Sequence, residues 1–238
     1  MENDSYLRDY SYGSSHDVTA AFPALMRNVY VWMTMALAVT GLTAFYVAST
    51  PELLYAIFSS KLAFWGLFIA ELAVVMILTS CIKKLSFPVA ALMMAAYSIL
   101  NGVTMSAIFI VYTLSSIAST FFITAGTFAA MAVVGYTTNR DMTKIGGILF
   151  MGLIGLVIAV VVNMFLGSSL MDYIISVFGV LIFTGLTAYD SNKIKAMLMQ
   201  CDRVDDNTQK IALLGSLSLY LDFVNLFLYL LRFLGNRK

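Results

Sequence analysis

Seven continuous apolar runs dominate the chain, at about Asn28 to Ser49, Leu62 to Ile82, Phe87 to Tyr112, Ile117 to Thr137, Ile145 to Leu166, Tyr173 to Asp190 and Ile211 to Phe233. Each has about the length with which a helix crosses the hydrocarbon layer of a bilayer. The runs are apolar on all sides rather than alternating, which excludes a membrane β-barrel. Helices are the remaining spanning structure, because lipid offers no partner to unpaired backbone groups. Residues 1–26 have a different character. They are polar, rich in Tyr, Ser and Asp, and lack the apolar core of a cleavable signal peptide. The pattern predicts a mobile tail over 1–26 and a single all-α, seven-helix membrane domain over 27–238.

Composition strengthens this picture. The 238 residues are 61% apolar and 11% charged, whereas a soluble domain is about 45–50% apolar and about 25% charged. That excludes an ordinary water-soluble enzyme. Three prolines, fifteen glycines and a net charge of +1 also exclude a disordered chain, a collagen-like repeat and a basic nucleic-acid binder.

Positive charge gives the orientation, since Lys and Arg stay on the cytoplasmic side. With the N-terminus inside, that side holds Arg8, Arg27, Lys83, Lys84, Arg140, Lys144, Lys193, Lys195, Arg203 and Lys210, ten of the fourteen. The other side holds Lys61 and, at the C-terminus, Arg232, Arg237 and Lys238. Those last three dissent, and a seventh segment that re-enters instead of crossing would return them to the cytoplasm.

Little soluble-site chemistry is present. Cys81 and Cys201 both fall on the cytoplasmic side, where a disulfide is not expected. No CxxC spacing occurs, the single histidine, His16, lies in the tail, and no phosphate loop or Ser/His pairing is found. The chain is therefore expected to be no enzyme and to need no cofactor, with the lipid bilayer as its surroundings.

The informative residues are ionisable groups inside the spans, each costing about 2.5–3.5 kcal/mol near the bilayer centre. Glu71 is the only charge in the second span, Asp222 the only one between Ile211 and Leu231, and Asp190 closes the sixth in Thr187-Ala-Tyr-Asp-Ser-Asn-Lys-Ile-Lys195. In the seventh, Gly215, Ser218, Asp222, Asn225 and Tyr229 recur at spacings of three and four and form one small, polar stripe. That stripe is expected to face protein. In the fifth span Gly152, Gly155, Ala159 and Asn163 make a similar face for close helix packing. Two roles are open to Asp222: part of an ion or proton path, or a carboxyl that only ties helices together. Asp190, at a helix end, has the same two roles open, and Glu71 reads more readily as a structural partner of a Tyr or Thr.

Two aspartates on adjacent spans also suggest an intramembrane aspartyl protease. The Gly-x-Gly-Asp and Pro-Ala-Leu signatures of those enzymes are missing: the second aspartate reads Leu219-Tyr-Leu-Asp222, and the only prolines are Pro23, Pro51 and Pro88. A retinal protein needs a lysine buried in the last span, and Lys210 sits only at its start.

The string Gly215-Ser-Leu-Ser-Leu-Tyr-Leu-Asp-Phe-Val-Asn-Leu-Phe-Leu-Tyr-Leu-Leu-Arg-Phe-Leu234 resembles the last helix of the Bax-inhibitor-1 family of membrane proteins. Ala188-Tyr-Asp-Ser-Asn-Lys-Ile-Lys195, Arg27-Asn-Val-Tyr-Val-Trp-Met-Thr, and Phe122-Ile-Thr-Ala-Gly-Thr-Phe followed by Asp141 resemble further parts of it. The resemblance implies a bundle with the seventh helix central and six around it. It implies a pH-sensitive calcium leak, with Asp190 and Asp222 as a proton-sharing dyad and weak calcium transit site, and calcium as transported ion. Calcium takes six to eight oxygens, so the two carboxylates would be joined by Asn225, carbonyls and waters. In some relatives a basic residue at the end of the second helix latches to the dyad. Here that position falls on Ile82, with Lys83 and Lys84 just beyond. A bacterial relative restrains a membrane-anchored ATP-dependent protease, which makes such a protease, or cell-death and stress partners, the alternative to transport. The C-terminus, Gly235-Asn-Arg-Lys238, lacks the Lys-rich tail of eukaryotic members and points to a bacterial inner membrane, multi-pass, with a cytoplasmic N-terminus.

Overall fold

The computed structural model describes residues 3–238, with side chains described from Ala21 onward except Phe64. Nine helices occur among the described residues: α1 (Asn3–Ala48), α2 (Pro51–Phe58), α3 (Lys61–Cys81), α4 (Phe87–Met105), α5 (Ile108–Val111), α6 (Leu114–Thr137), α7 (Thr143–Leu166), α8 (Ser169–Leu198) and α9 (Asp206–Leu234). Seven are long and apolar enough to cross a membrane, at Ala21–Ala48, Lys61–Cys81, Phe87–Val111, Leu114–Thr137, Thr143–Leu166, Ser169–Leu198 and Asp206–Leu234. The expected seven spans are thus recovered in order, and the chain is a multi-pass, all-α membrane protein.

Local signals set the helix ends. Pro51 and Pro88 stand in the first turns of α2 and α4, where a missing N–H costs nothing. Gly167, at φ 62°, ends α7 in the left-handed conformation that a Cβ would disfavour. Asp205 starts α9 with a capping box: its carboxylate accepts from the backbone N–H of Asn207 and Thr208, and the Thr208 side chain accepts from the Asp205 N–H.

Two boundaries differ from the sequence reading. Residues 3–26 of the expected tail belong to α1, with Ala21, Leu25 and Met26 buried; the side chains before Ala21, that of His16 included, lie outside the described residues. The sixth span does not stop at Asp190, because α8 continues for eight residues to Leu198. The polar residues after Asp190 have partners that keep them helical. Ser191 donates to the Ala132 carbonyl at 2.9 Å, and Asn192 to those of Gly135 and Thr138, both at 3.1 Å. A fall in hydropathy there marks contact with α6 and not a helix end.

Helix α9 forms the centre. Two thirds (67%) of its most apolar stretch is buried, against 11–33% for the other spans. It packs on α8, α1, α6 and α4, while α3 lies mainly on α4 and α7 on α8. The inner ring therefore has four helices, with α3 and α7 outside it. Exposed Leu62, Trp65, Ile69 and Met76 on α3 and Ile148, Met151, Ile158 and Phe165 on α7 are the lipid-facing surface of those outer helices.

Helix α9 crosses the bundle completely. Its start follows the α8–α9 turn, where Lys210 Nζ donates to the Leu85 carbonyl in the α3–α4 turn at 3.2 Å. Its far end reaches the α5–α6 and α7–α8 turns: Asn236 N donates to Ser116 Oγ, Lys238 N to the Val111 carbonyl, and Tyr112 bridges Arg237. The re-entrant alternative for the last segment is excluded by this path.

Candidate functional site

The central question is whether Asp190 on α8 and Asp222 on α9 meet. The register of the two antiparallel helices answers it. Gly215 of α9 lies against Ile194 of α8, where an added Cβ would come within 3.1 Å of that side chain. About four turns along, Tyr229 packs on Gly179 and stacks on Phe183 with ring centroids 5.7 Å apart. Asp190 follows Phe183 by seven residues and Asp222 precedes Tyr229 by seven. Seven residues are two helical turns and return to the same face. Both aspartates therefore stand at one level on the α8–α9 seam, and their carboxyls are within electrostatic reach of each other.

Their surroundings differ. Asp222 is 5% exposed, and its Oδ2 is buried with no hydrogen-bond partner among the described residues. Such unmet buried polar atoms are rare in folded proteins and ask for a functional explanation. Asp190 is half-buried, and the ammonium of Lys193, one turn on, acts on it. Next to it, the Ser191 hydroxyl joins α8 to α6 and lies 3.4 Å from the Tyr30 hydroxyl of α1. Of the small, polar stripe, Gly215, Asp222 and Tyr229 lie on the α8 seam, whereas Ser218 and Asn225 are half-buried on the least covered side of α9, in line with exposed Leu228.

The remaining singled-out residues separate from this pair. Asn225 donates its amide to the Leu221 carbonyl of its own helix at 2.8 Å, leaving its carbonyl oxygen to offer. Glu71 is buried on α3 and accepts a hydrogen bond from Thr104 of α4. Lys83 is exposed in the α3–α4 turn and Ile82 is buried beside it, so no basic residue there reaches toward the aspartates. Arg27 is exposed on α1. On α7, Gly152 approaches Ile182 of α8, whereas Gly155 faces open space; the closest α7 approach is Gly146 on Tyr189.

A second buried polar cluster lies on the opposite face of α9. Thr40 of α1 donates to the Ser98 carbonyl of α4 at 3.0 Å and stands 2.7 Å from the Tyr220 hydroxyl. Tyr220 donates to Asn101 Oδ1 at 3.2 Å and meets Tyr97 edge-on. Isolated Thr, Ser and Asn residues near mid-span were its only trace in the sequence. A third group was hidden by the charge count. Asp172 of α8 pairs with Arg232 at 3.0 Å and Arg237 at 3.7 Å, which accounts for two of the three dissenting C-terminal cations.

Among the described residues no three His, Cys, Asp or Glu side chains gather to hold a metal ion. The two-carboxylate seam has too few protein oxygens for a tight calcium cage.

The family model for inhibitor of apoptosis-promoting Bax1 matches residues 23–238. The chain is 47% identical over 220 residues to "Inner membrane protein YbhL" of Escherichia coli K12, covering 92% of this chain and 94% of that one. It is 43% identical over 213 residues to a protein of Borreliella burgdorferi (90% and 92% covered) and 39% over 213 residues to one of Rickettsia prowazekii (90% and 89%). With a central seventh helix, an Asp190–Asp222 seam and relatives aligned along nearly its whole length, the chain belongs to the Bax inhibitor-1 family of membrane proteins.

Proposed function

We propose that this protein is a calcium leak channel of the bacterial inner membrane, gated by the Asp190–Asp222 pair and sensitive to pH. The observation that carries the reading is Asp222 Oδ2, buried at the centre of the bundle with no partner among the described residues. A carboxyl whose task was to hold helices together would have its hydrogen bonds met. For that reason transport is preferred to a purely interacting role with a membrane protease or stress partners. Two carboxyls within electrostatic reach of each other cannot both ionise cheaply, so the pair keeps one proton while the path is closed. Loss of that proton sets like charges against each other and provides two anionic oxygens for a weakly held cation. The inner-membrane location follows the printed name of the Escherichia coli relative, and the cytoplasmic N-terminus follows the positive charges.

Calcium flux into liposomes holding only the purified protein tests this, measured from pH 5 to 8. Asp222→Asn keeps shape and hydrogen bonding while removing the charge. The expected result is altered flux and a flattened pH profile for Asp222→Asn and Asp190→Asn, with His16→Ala like wild type. Equal flux and an unchanged profile in both aspartate variants, with Asp222→Leu failing to fold, would make the pair structural.

A further inference from the structure

Helices α1 and α6 both pack on α9 but not along each other. Near one end Phe22 of α1 stacks on Tyr136 of α6, ring centroids 6.2 Å apart. Below that contact the two helices leave an open groove of about 1050 Å³, floored by Phe128 and by Phe223 of the central helix. It runs along α1 from Arg27 to beyond Gly41, fourteen residues or about 21 Å of helix. Both walls are membrane-spanning, so the groove opens sideways into the hydrocarbon. Its far part is apolar.

The end near Phe22 is different. Arg27 and Tyr30 line it, and Arg27 is exposed with no ion pair among the described residues. Helical side chains lean toward the N-terminus, which carries the Arg27 guanidinium toward the membrane interface. A second cation stands at the same end, Lys195 Nζ, 5.7 Å from the centroid of the Tyr136 ring. A long apolar trough in the hydrocarbon with positive charge at its interfacial end matches one ligand chemistry, an acyl chain joined to a negative headgroup. We propose that the groove between α1 and α6 binds an anionic phospholipid, one acyl chain lying over Phe128 and Phe223 and the phosphate meeting Arg27. The lipid then packs against the residue that follows Asp222 on α9.

The test uses the full chain in detergent, supplied with phosphatidylglycerol or phosphatidylcholine of equal chain length, with retained lipid read by native mass spectrometry. Wild type is expected to hold phosphatidylglycerol roughly fivefold better, the effect of one basic side chain at an anionic surface. Arg27→Gln brings the two lipids to near parity. A Cβ at Gly41 meets nothing within 4 Å, so Gly41→Trp fills the trough without disturbing the helices and lowers retention of both lipids. Ala129→Trp, on the α6 wall, does the same from the other side, and wild-type elution volume verifies each fold. A phosphatidylglycerol preference untouched by Arg27→Gln overturns the proposal. So does lipid retention unchanged in both Trp variants, or a wild-type dimer that only the Trp variants dissolve, which would make a second copy the occupant.

Discussion

Asp172, in the first turn of α8, holds Arg232, in the last turn of α9, at 3.0 Å, and Arg237 approaches the other carboxylate oxygen at 3.7 Å. The anion stands at a helix N-terminus and Arg232 at a helix C-terminus, so both also complement the helix dipoles. This contact fixes the end of the central helix at the α7–α8 turn.

Replacing Asp172 with Ala leaves Arg232 and Arg237 facing each other without their counter-charge. The pair is partly exposed, so the loss of stability is small, about 0.2–1 kcal/mol. A larger change is expected locally: amide exchange of residues 235–238 accelerates, while that of mid-α9 stays slow. Uniform exchange along α9 in both proteins would show that the contact does not restrain the end.

Because α9 crosses, the α8–α9 turn and the C-terminus lie at opposite ends of the bundle. Cys201 is a poor reporter of sidedness, being 7% exposed. In a background lacking both native cysteines, Arg203→Cys and Glu52→Cys place exposed thiols in the α8–α9 turn and in α2. A reagent unable to cross the membrane is expected to label Glu52→Cys in intact cells and Arg203→Cys only after lysis. The reverse pattern would invert the orientation argued from positive charge.

The seven spans were legible in the sequence because continuous apolar runs of that length have one structural outcome in a bilayer. Asp222 was legible for a related reason: one carboxylate among nine Leu is conspicuous, and Gly215 and Tyr229, seven residues to either side, share its face. The opposition of Asp190 to Asp222 was implied by the family resemblance but was not legible in the residue pattern itself. It depends on the helix register that Gly179 and Gly215 permit, and on α8 running on past the point where hydropathy falls. The Thr40–Tyr220–Asn101 cluster was hidden because each member alone is an ordinary span residue; only the fold brings α1, α4 and α9 together. The pairing of Arg232 and Arg237 with Asp172 was not legible either, since only the fold brings the start of α8 to the end of α9.

Glycine substitutions test the packing around the aspartates. A Cβ on Gly135 of α6 would sit 2.1 Å from the Ala188 carbonyl oxygen of α8, two residues before Asp190. Backbone cannot yield as a side-chain tip does, so Gly135→Ala should cost about 1–3 kcal/mol. Gly155→Ala, on α7, meets nothing within 4 Å and is expected to leave the melting temperature unchanged or raised. Equal melting temperatures for the two variants would refute the close α6–α8 approach.

The α8–α9 turn offers a pH test outside the membrane. The backbone N–H groups of Thr208 and Asn207 and the Thr208 hydroxyl hold the Asp205 carboxyl below its ordinary value of 3.8. A depressed carboxyl favours the folded cap when ionised, so the cap is fully present above that ordinary value and is lost as pH falls through the lower, folded one. Cys201 reports on it. Burial pushes its thiol up from the ordinary 9.0, and the charges of Asp205 and Asp202 add to that. Labelling needs the thiolate, which is scarce at neutral pH. Asp205→Asn retains a good N-cap but removes the charge, so at pH 8 it should raise the labelling rate modestly by increasing the thiolate fraction. Asp205→Ala removes cap and charge together; the first turn of α9 frays, and labelling should exceed that of the Asn variant at every pH. Measured on inside-out vesicles with Cys81→Ser, the expected order is Ala above Asn above wild type. If Ala and Asn coincide, the capping box does not hold the turn; if Asn matches wild type, the Asp205 charge does not act on Cys201.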